Sequence, residues 1–239
     1  ISIMYHHVNS DRCSNDLAIF EEHLKYIKNN FKTIFPGEEI TSKSVCLTFD
    51  DAYADFYFLI FPLLKKYNLK ALLAIPSKYI LDDTEEEAEN RMNFEHNDLF
   101  ENYQKATFCT YKELKQMQES GLVVFGSHSH SHIDLTQKQV DLDFELRVSK
   151  EILEDKLNTK IDSFVFPFGK YNQNILKEAK KYYKYNFRIG NAIHKDFSGI
   201  NGAIYRVDGD NLKTADEIFK TTKLLKYKFK GIVKRLGKK

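Results

Sequence analysis

Asp50 and Asp51 are adjacent carboxylates that close the run Val45-Cys46-Leu47-Thr48-Phe49. The run is mostly apolar and β-favouring, so it reads as a buried strand whose C-terminal end carries the acids. In α/β folds, sites gather at the C-terminal ends of strands. Two carboxylates there repel each other unless a cation separates their roles. One can bind a metal while the other stays free as a base. Asp is also common in turns, and the pair alone also reads as a polar strand end.

A second cluster, Gly126-Ser127-His128-Ser129-His130-Ser131-His132, follows the apolar run Leu122 to Phe125. In an extended segment all three imidazoles point one way; in a helical turn only His128 and His132 align. Two imidazoles and a carboxylate are a common set for a divalent metal, and they leave positions open for water and substrate. The remaining Asp is then free to take a proton from water that the cation has acidified. Attack on a carbonyl expels an amine or alcohol, which needs a proton from an acid such as His. That chemistry is metal-assisted hydrolysis of an amide or ester. The GxSxG, HExxH and phosphate-loop patterns are absent, which removes several rival hydrolase and nucleotide schemes.

These residues need elements to hold them. Ile1 to Tyr5 reads as a short strand followed by His6 and His7, and residues 16–30 as a helix with Asp16 as N-cap. Phe31 to Phe35, Ala71 to Ile75, Leu122 to Phe125, Phe164 to Phe166, Asn186 to Ile189 and Ile204 to Val207 read as further strands. Phe56 to Tyr67 (interrupted by Pro62), Tyr111 to Ser120, Lys138 to Leu157, Asn172 to Tyr183 and 214–236 read as helices. Residues 82–109 are acidic and aperiodic, and are expected to form a long insertion or lid. Strand and helix alternate, which implies a mainly parallel sheet with outer helices, as a barrel or a doubly wound sheet in one domain. Polar clusters recur after strands at 6–7, 50–51, 127–132 and 167–172. In a barrel they converge on one rim.

The 239 residues are 42% hydrophobic and 29% charged, as in an ordinary soluble protein. No apolar run approaches the roughly 20 residues of a membrane-spanning helix. No leader is visible, although the chain begins at Ile1. A cytoplasmic or membrane-peripheral location is expected, or export if a leader was trimmed. Cys13, Cys46 and Cys109 form neither a disulfide framework nor a zinc knuckle. Residues 220–239 hold nine Lys/Arg and no acid, which leaves 27 bases against 34 acids elsewhere, a net of −7. An acidic body argues against nucleic acid as a partner. The basic tail places Leu225, Phe229, Ile232, Val233 and Leu236 at helical spacing. It reads as a helix packed on the barrel, or as an amphipathic helix in peripheral contact with an anionic membrane.

The chain resembles the polysaccharide deacetylases of carbohydrate esterase family 4, the NodB-homology group. Thr48-Phe49-Asp50-Asp51 is similar to the family's first motif, which implies Asp50 as base and Asp51 as metal ligand. The tract 126–132 resembles the second motif, which implies His128 and His132 as ligands and His130 as a bystander. Phe166 to Tyr171 resembles the third motif, which lines the sugar groove and implies Pro167, Phe168, Gly169 and Tyr171 as substrate contacts. The backbone N–H of Phe168 would help hold the oxyanion. The third motif's usual Arg is missing; Val165 and Phe166 stand there, and Arg188 or Arg206 is left to replace it. The Trp motif cannot exist without Trp, and the C-terminal Leu-x-His is not evident. The subgroup resembling poly-N-acetylglucosamine deacetylases takes its acid His from an N-terminal strand. Met4-Tyr5-His6-His7-Val8 is similar to it, so His6 is the expected general acid, with His7 beneath it and His194 as a second candidate.

The resemblance thus implies a distorted (β/α) barrel that removes N-acetyl groups from an amino sugar in a cell-surface polysaccharide or its lipid-linked precursor. It implies one divalent ion, zinc first, with cobalt or nickel suiting the same donors. The rival readings are an amidohydrolase or deformylase acting on a small molecule, and a non-catalytic carbohydrate-binding relative.

Overall fold

A computed structural model describes residues 1–41 and 43–237; Lys238 and Lys239 of the basic tail lie outside the described residues. In chain order the elements are β1 (Ser2–Tyr5), β2 (His7–Val8), β3 (Ser14–Asn15), α1 (Leu17–Asn30), β4 (Lys32–Thr33) and β5 (Ser44–Phe49). Next come α2 (Phe61–Tyr67), β6 (Ala71–Ile75), α3 (Ala88–Met92), α4 (Tyr111–Glu119), β7 (Val123–Ser127) and α5 (Ser149–Leu157). The chain ends with β8 (Ser163–Val165), α6 (Gln173–Tyr182), β9 (Tyr185–Ile189), β10 (Ile204–Asp208) and α7 (Thr221–Leu236).

The main sheet runs β1-β10-β9-β8-β7-β6-β5-β4, and β5 also pairs with β1. That last pairing closes β1 and β5 to β10 into a barrel, with β4 appended along β5; every pairing in it is parallel. Parallel strands need crossovers, and helices supply most of them on the outside. Local chemistry sets their ends. Asp16 Oδ1 accepts from Ile19 N–H at 3.0 Å to start α1. Thr110 and Glu113 form a reciprocal capping box on α4.

Strand alternation divides the core in two. Val45, Leu47 and Phe49 face the helices and join the large outer core. Cys46 faces the barrel axis with Leu72, Ala74, Val165, Phe187 and Ile204. The same period carries Thr48 and then Asp50 up the inner face toward the strand C-terminal rim.

Several boundaries differ from expectation. The helix expected from Lys138 winds only after Asp141, whose Oδ1 caps Phe144 N–H at 3.0 Å; a wide π turn at Phe144–Val148 precedes α5. The helix expected from 214 starts at Thr221, because Thr214 and Asp216 close a local turn before it. Pro62 is the second residue of α2, and a wide π turn at Phe56–Ile60 runs directly into it, accommodating the missing N–H. The strand expected at 31–35 is reduced to β4. No helix among the described residues is long and apolar enough to cross a membrane.

Candidate active site

Register alone brings three polar groups to one place. Met4 lies beside Thr48 of β5 and beside Asp208 of β10. Two residues further along each strand stand His6, Asp50 and Asp210, on the same inward side. Asp210 Oδ2 accepts from His6 Nδ1 at 2.6 Å, and Asp210 Oδ1 accepts from the His6 backbone N–H at 3.1 Å. His6 Nε2 is then directed at Asp50 Oδ2, 3.9 Å away. Gly209 makes the turn possible: a Cβ there would meet the Tyr5 ring at 2.4 Å.

Asp50 is held by Arg206 of β10. Arg206 Nη1 donates to Asp50 Oδ1 at 2.5 Å and to Thr48 Oγ1 at 3.0 Å, while Nη2 donates to Asp50 Oδ2 at 2.7 Å. The guanidinium is fully buried on the barrel axis. Burial alone would raise the Asp50 carboxyl, but the Arg206 charge and hydrogen bonds overcome it and hold it well below the usual carboxylate range. Of the two arginines left open by the sequence, Arg206 therefore meets the acid. Arg188 bonds only locally, from Nε to Ile189 O.

Asp51 turns the other way. It has φ +71°, followed by Ala52 at +57°, a left-handed pair that costs non-glycine residues about 1–3 kcal/mol each and is characteristic of functional sites. Its Oδ1 faces His128 Nε2 at 3.4 Å and His132 Nε2 at 3.2 Å. His128 Nδ1 bonds to the Val165 carbonyl at 2.8 Å; a carbonyl only accepts, so Nδ1 carries the proton and Nε2 presents its lone pair. Burial pushes the His132 imidazole down to about 4, which keeps it neutral, as metal ligands are.

Asp51, His128 and His132 can converge on one ion. The fit has an independent sign. Asp51 Oδ1 is buried without a hydrogen-bond partner among the described residues, a loss that a cation would offset. Asp50 lies outside this group. His130, as expected, is elsewhere: Nδ1 pairs with Ser77 Oγ at 2.9 Å and the ring meets Phe144.

His6 carries a displaced proton affinity. Burial pulls its imidazole down, but the bond to Asp210 and the charges of Asp210, Asp50 and Asp51 outweigh this and raise it to about 10. Burial pushes Asp210 up in turn, against the pull of His6. A cationic His6 beside an ionised Asp50 is the arrangement of an acid and a base on one site.

His7 lies beneath, stacked on Tyr53 at 4.0 Å, with Nδ1 3.2 Å from Asp55 Oδ2 and Nε2 3.2 Å from His96 Nδ1. His194 is not at the rim. It is buried at the opposite end of β1, against Ser2 Oγ and Asp196 O. The Phe168 ring is exposed and lies 4.8 Å from the His132 ring; Phe168 itself has φ +56°. Pro167 and Gly169 are buried around it. Tyr171 instead stacks on Phe166 at 4.8 Å and lines a different cleft with Arg188.

The segment 82–109 builds a wall over this centre. Phe100 stacks on His132 with ring centroids 4.6 Å apart, and His96 packs edge-on to His6 and His7. The wall is pinned by Arg91, 2% exposed, which donates to both Glu113 oxygens and to the carbonyls of Ala106 and Phe108. Sequence reasoning missed Asp210, His96 and Phe100. The rule that singled out Asp50 and Asp51 would have found Asp210, since Asp208-Gly209-Asp210 also ends a strand.

Comparison with known proteins gives consistent results. The family profile described as Polysaccharide deacetylase matches residues 37–186. The Bacillus subtilis protein YxkH, which bears that family's name, is 27% identical over 197 residues, covering 75% of this chain and 60% of its own length. The Escherichia coli K12 poly-beta-1,6-N-acetyl-D-glucosamine N-deacetylase is 25% identical over 173 residues, covering 61% of this chain and 25% of its own length. The aligned stretches therefore span under two thirds of these relatives. Among solved structures, the Streptococcus pyogenes deacetylase PplD in complex with acetate has a TM-score of 0.72 at 25% identity, covering 92% of this chain and 96% of its own. IcaB from Ammonifex degensii has a TM-score of 0.71 at 17% identity, covering 93% and 94%, a likeness of fold.

Proposed function

Because the chain belongs to the polysaccharide deacetylase family, we propose that it hydrolyses the acetamide of an N-acetylated amino sugar, with a β-1,6-linked N-acetylglucosamine polymer or its lipid-linked precursor as first candidate. One observation carries the reading. Asp51, His128 and His132 converge around a buried, unpartnered carboxylate oxygen, while Asp50 stays outside that set, ionised by Arg206 and facing His6.

A divalent ion on those three residues, zinc for preference and cobalt or nickel on the same donors, would supply Lewis-acid polarisation and acidify water. The chain's own groups do the rest. Asp50 accepts the proton from the attacking water. The Phe168 backbone N–H helps hold the negative oxygen that develops as the carbonyl carbon becomes tetrahedral. His6, held by Asp210, gives its proton to the departing nitrogen. The C–N bond breaks, and acetate and the free amine leave. Phe100 and Phe168, both packed against His132, limit water access, and the exposed Phe168 ring offers a face to a sugar.

The basic helix supports a peripheral membrane role in the same reading. α7 packs through Tyr227 and Gly231, and a Cβ on Gly231 would meet Ile193 O at 2.6 Å. Leu225, Phe229, Ile232, Val233 and Leu236 lie on the other side and are 50–79% exposed. Lys226, Lys228 and Arg235 flank that apolar face at helical spacing. The occupant that suits such a face is an anionic bilayer.

The test is acetate release from β-1,6-linked and β-1,4-linked N-acetylglucosamine oligosaccharides by the metal-loaded chain. Release that favours the β-1,6 series supports the reading. Metal binding without release from either overturns it.

A further inference from the structure

A cleft of 640 Å³ is lined by Tyr171, Asn172, Gln173, Arg188, Asn201, Tyr205, Lys234 and Gly237. Its volume falls within the range of small-molecule sites. Among the described residues its lining holds two cations and no Asp or Glu. Arg188 sits over both the Tyr171 and Tyr205 rings, 5.1 Å from each centroid, and the Lys234 ammonium is 4.6 Å from the Tyr205 centroid. The two cations thus converge on one ring from different elements, β9 and α7. Gly190 keeps the space open for them: a Cβ there would lie 2.4 Å from the Tyr205 ring and 3.5 Å from Lys234 Cε.

Two like charges brought together without a counter-charge are disfavoured unless an anion joins them. Partial burial, then Arg188 and Lys230, lower the Lys234 ammonium from its ordinary value, which agrees with an uncompensated positive cleft. Arg188 is committed through Nε to Ile189 O, which fixes the guanidinium plane and leaves its outer edge for a bidentate oxyanion. Around it stand the side-chain amides of Asn172, Gln173 and Asn201, suited to sugar hydroxyls. One short segment borders both the cleft and the centre: Tyr171 lines the cleft and stacks on Phe166, and Phe168 abuts His132.

We propose that this cleft is an anion-binding subsite, in which Arg188 and Lys234 hold a phosphodiester or carboxylate carried by the glycan at a unit beyond the one being deacetylated. This rests on the reading of the centre as a glycan deacetylase, and the subsite would select anionic polymers or a glycan still attached to a phosphate-bearing carrier. Tyr171, expected to line the sugar groove, would do so at this more distant unit.

The experiment compares two N-acetylglucosamine oligosaccharides of equal length, one neutral and one bearing a terminal glycerol phosphate. Equilibrium binding to the metal-free chain is measured by calorimetry, and KM is measured on the metal-loaded chain. The phosphorylated probe is expected to bind roughly tenfold more tightly at low salt, with the preference weakening as salt rises. Lys234→Gln and Arg188→Gln should each bring the two affinities together, with circular dichroism confirming that each variant is folded. Equal affinities in the native chain, or a preference that survives both substitutions, overturns the subsite. The binding arm requires no turnover. An absence of acetate release with a Lys234-dependent preference would sink the deacetylase reading alone.

Discussion

The Arg206 Nη2 nitrogen lies 2.7 Å from Asp50 Oδ2, and the two side chains are 0% and 3% exposed. They come from strands 156 residues apart in sequence. In the proposed mechanism this pair is the reason for taking Asp50 as base and Asp51 as ligand: a carboxylate already gripped at both oxygens is poorly placed to be shared with a metal ion.

Arg206→Lys keeps the charge but loses the fork. Asp50 must be ionised to accept a proton, and its carboxyl is held well below the ordinary range. Loosening the grip raises it, so the acid limb of the pH–rate profile should move to higher pH, with kcat falling about 100-fold and metal content unchanged. Arg206→Met should destabilise the fold by about 3–5 kcal/mol in chemical denaturation, because it leaves a buried charge unpaired. Asp50→Asn in the same chain should recover part of that loss.

Asp210→Asn addresses the acid. His6 must be protonated to donate, and Asp210 is the largest influence raising its imidazole to about 10. Removing that carboxylate lowers the imidazole. The alkaline limb of kcat against pH should therefore move to lower pH by a unit or more relative to the native chain, while the acid limb stays. An alkaline limb that does not move would assign the proton to another group.

Phe100→Ala removes the ring stacked on His132. With that support gone, metal affinity should fall by about tenfold, read by competition with a chelator. The Arg91 anchor keeps the rest of the wall in place, so thermal stability should change much less than in Arg91→Met.

Leu225→Lys with Phe229→Lys tests the outer face of α7. Co-sedimentation with vesicles containing anionic phosphatidylglycerol should drop sharply, while the native chain should bind these vesicles and ignore neutral phosphatidylcholine ones. Equal binding by both forms would leave the apolar face without this role.

The barrel was legible because its strands announce themselves. Val45 to Phe49 and Ala71 to Ile75 are short apolar runs, ended by Asp50 and by Pro76-Ser77, and they form β5 and β6 within a residue or so. Helix starts were less legible where a local side-chain cap competes with periodicity, as Asp141 and Thr214 do. The metal-ligand candidates stood out because each lies in a compact local motif. His6, Arg206 and Asp210 fall outside the matched stretch 37–186; His6 stood in a strand-end signature, but the three meet only through the register of β1 between β5 and β10. Pairing across a closed barrel is not written in either strand alone, so the choice between Arg188 and Arg206 required the fold. The placement of Tyr171, stacked on Phe166 and facing Arg188 rather than His132, likewise required the fold.

The central claim is the division of labour between two neighbouring acids, and metal stoichiometry measured beside turnover tests it most directly. Asp50→Asn should bind one divalent ion per chain as tightly as the native protein and release no acetate. Asp51→Asn should lose the ion from the folded chain. Loss of the ion from Asp50→Asn with its retention in Asp51→Asn would contradict the account.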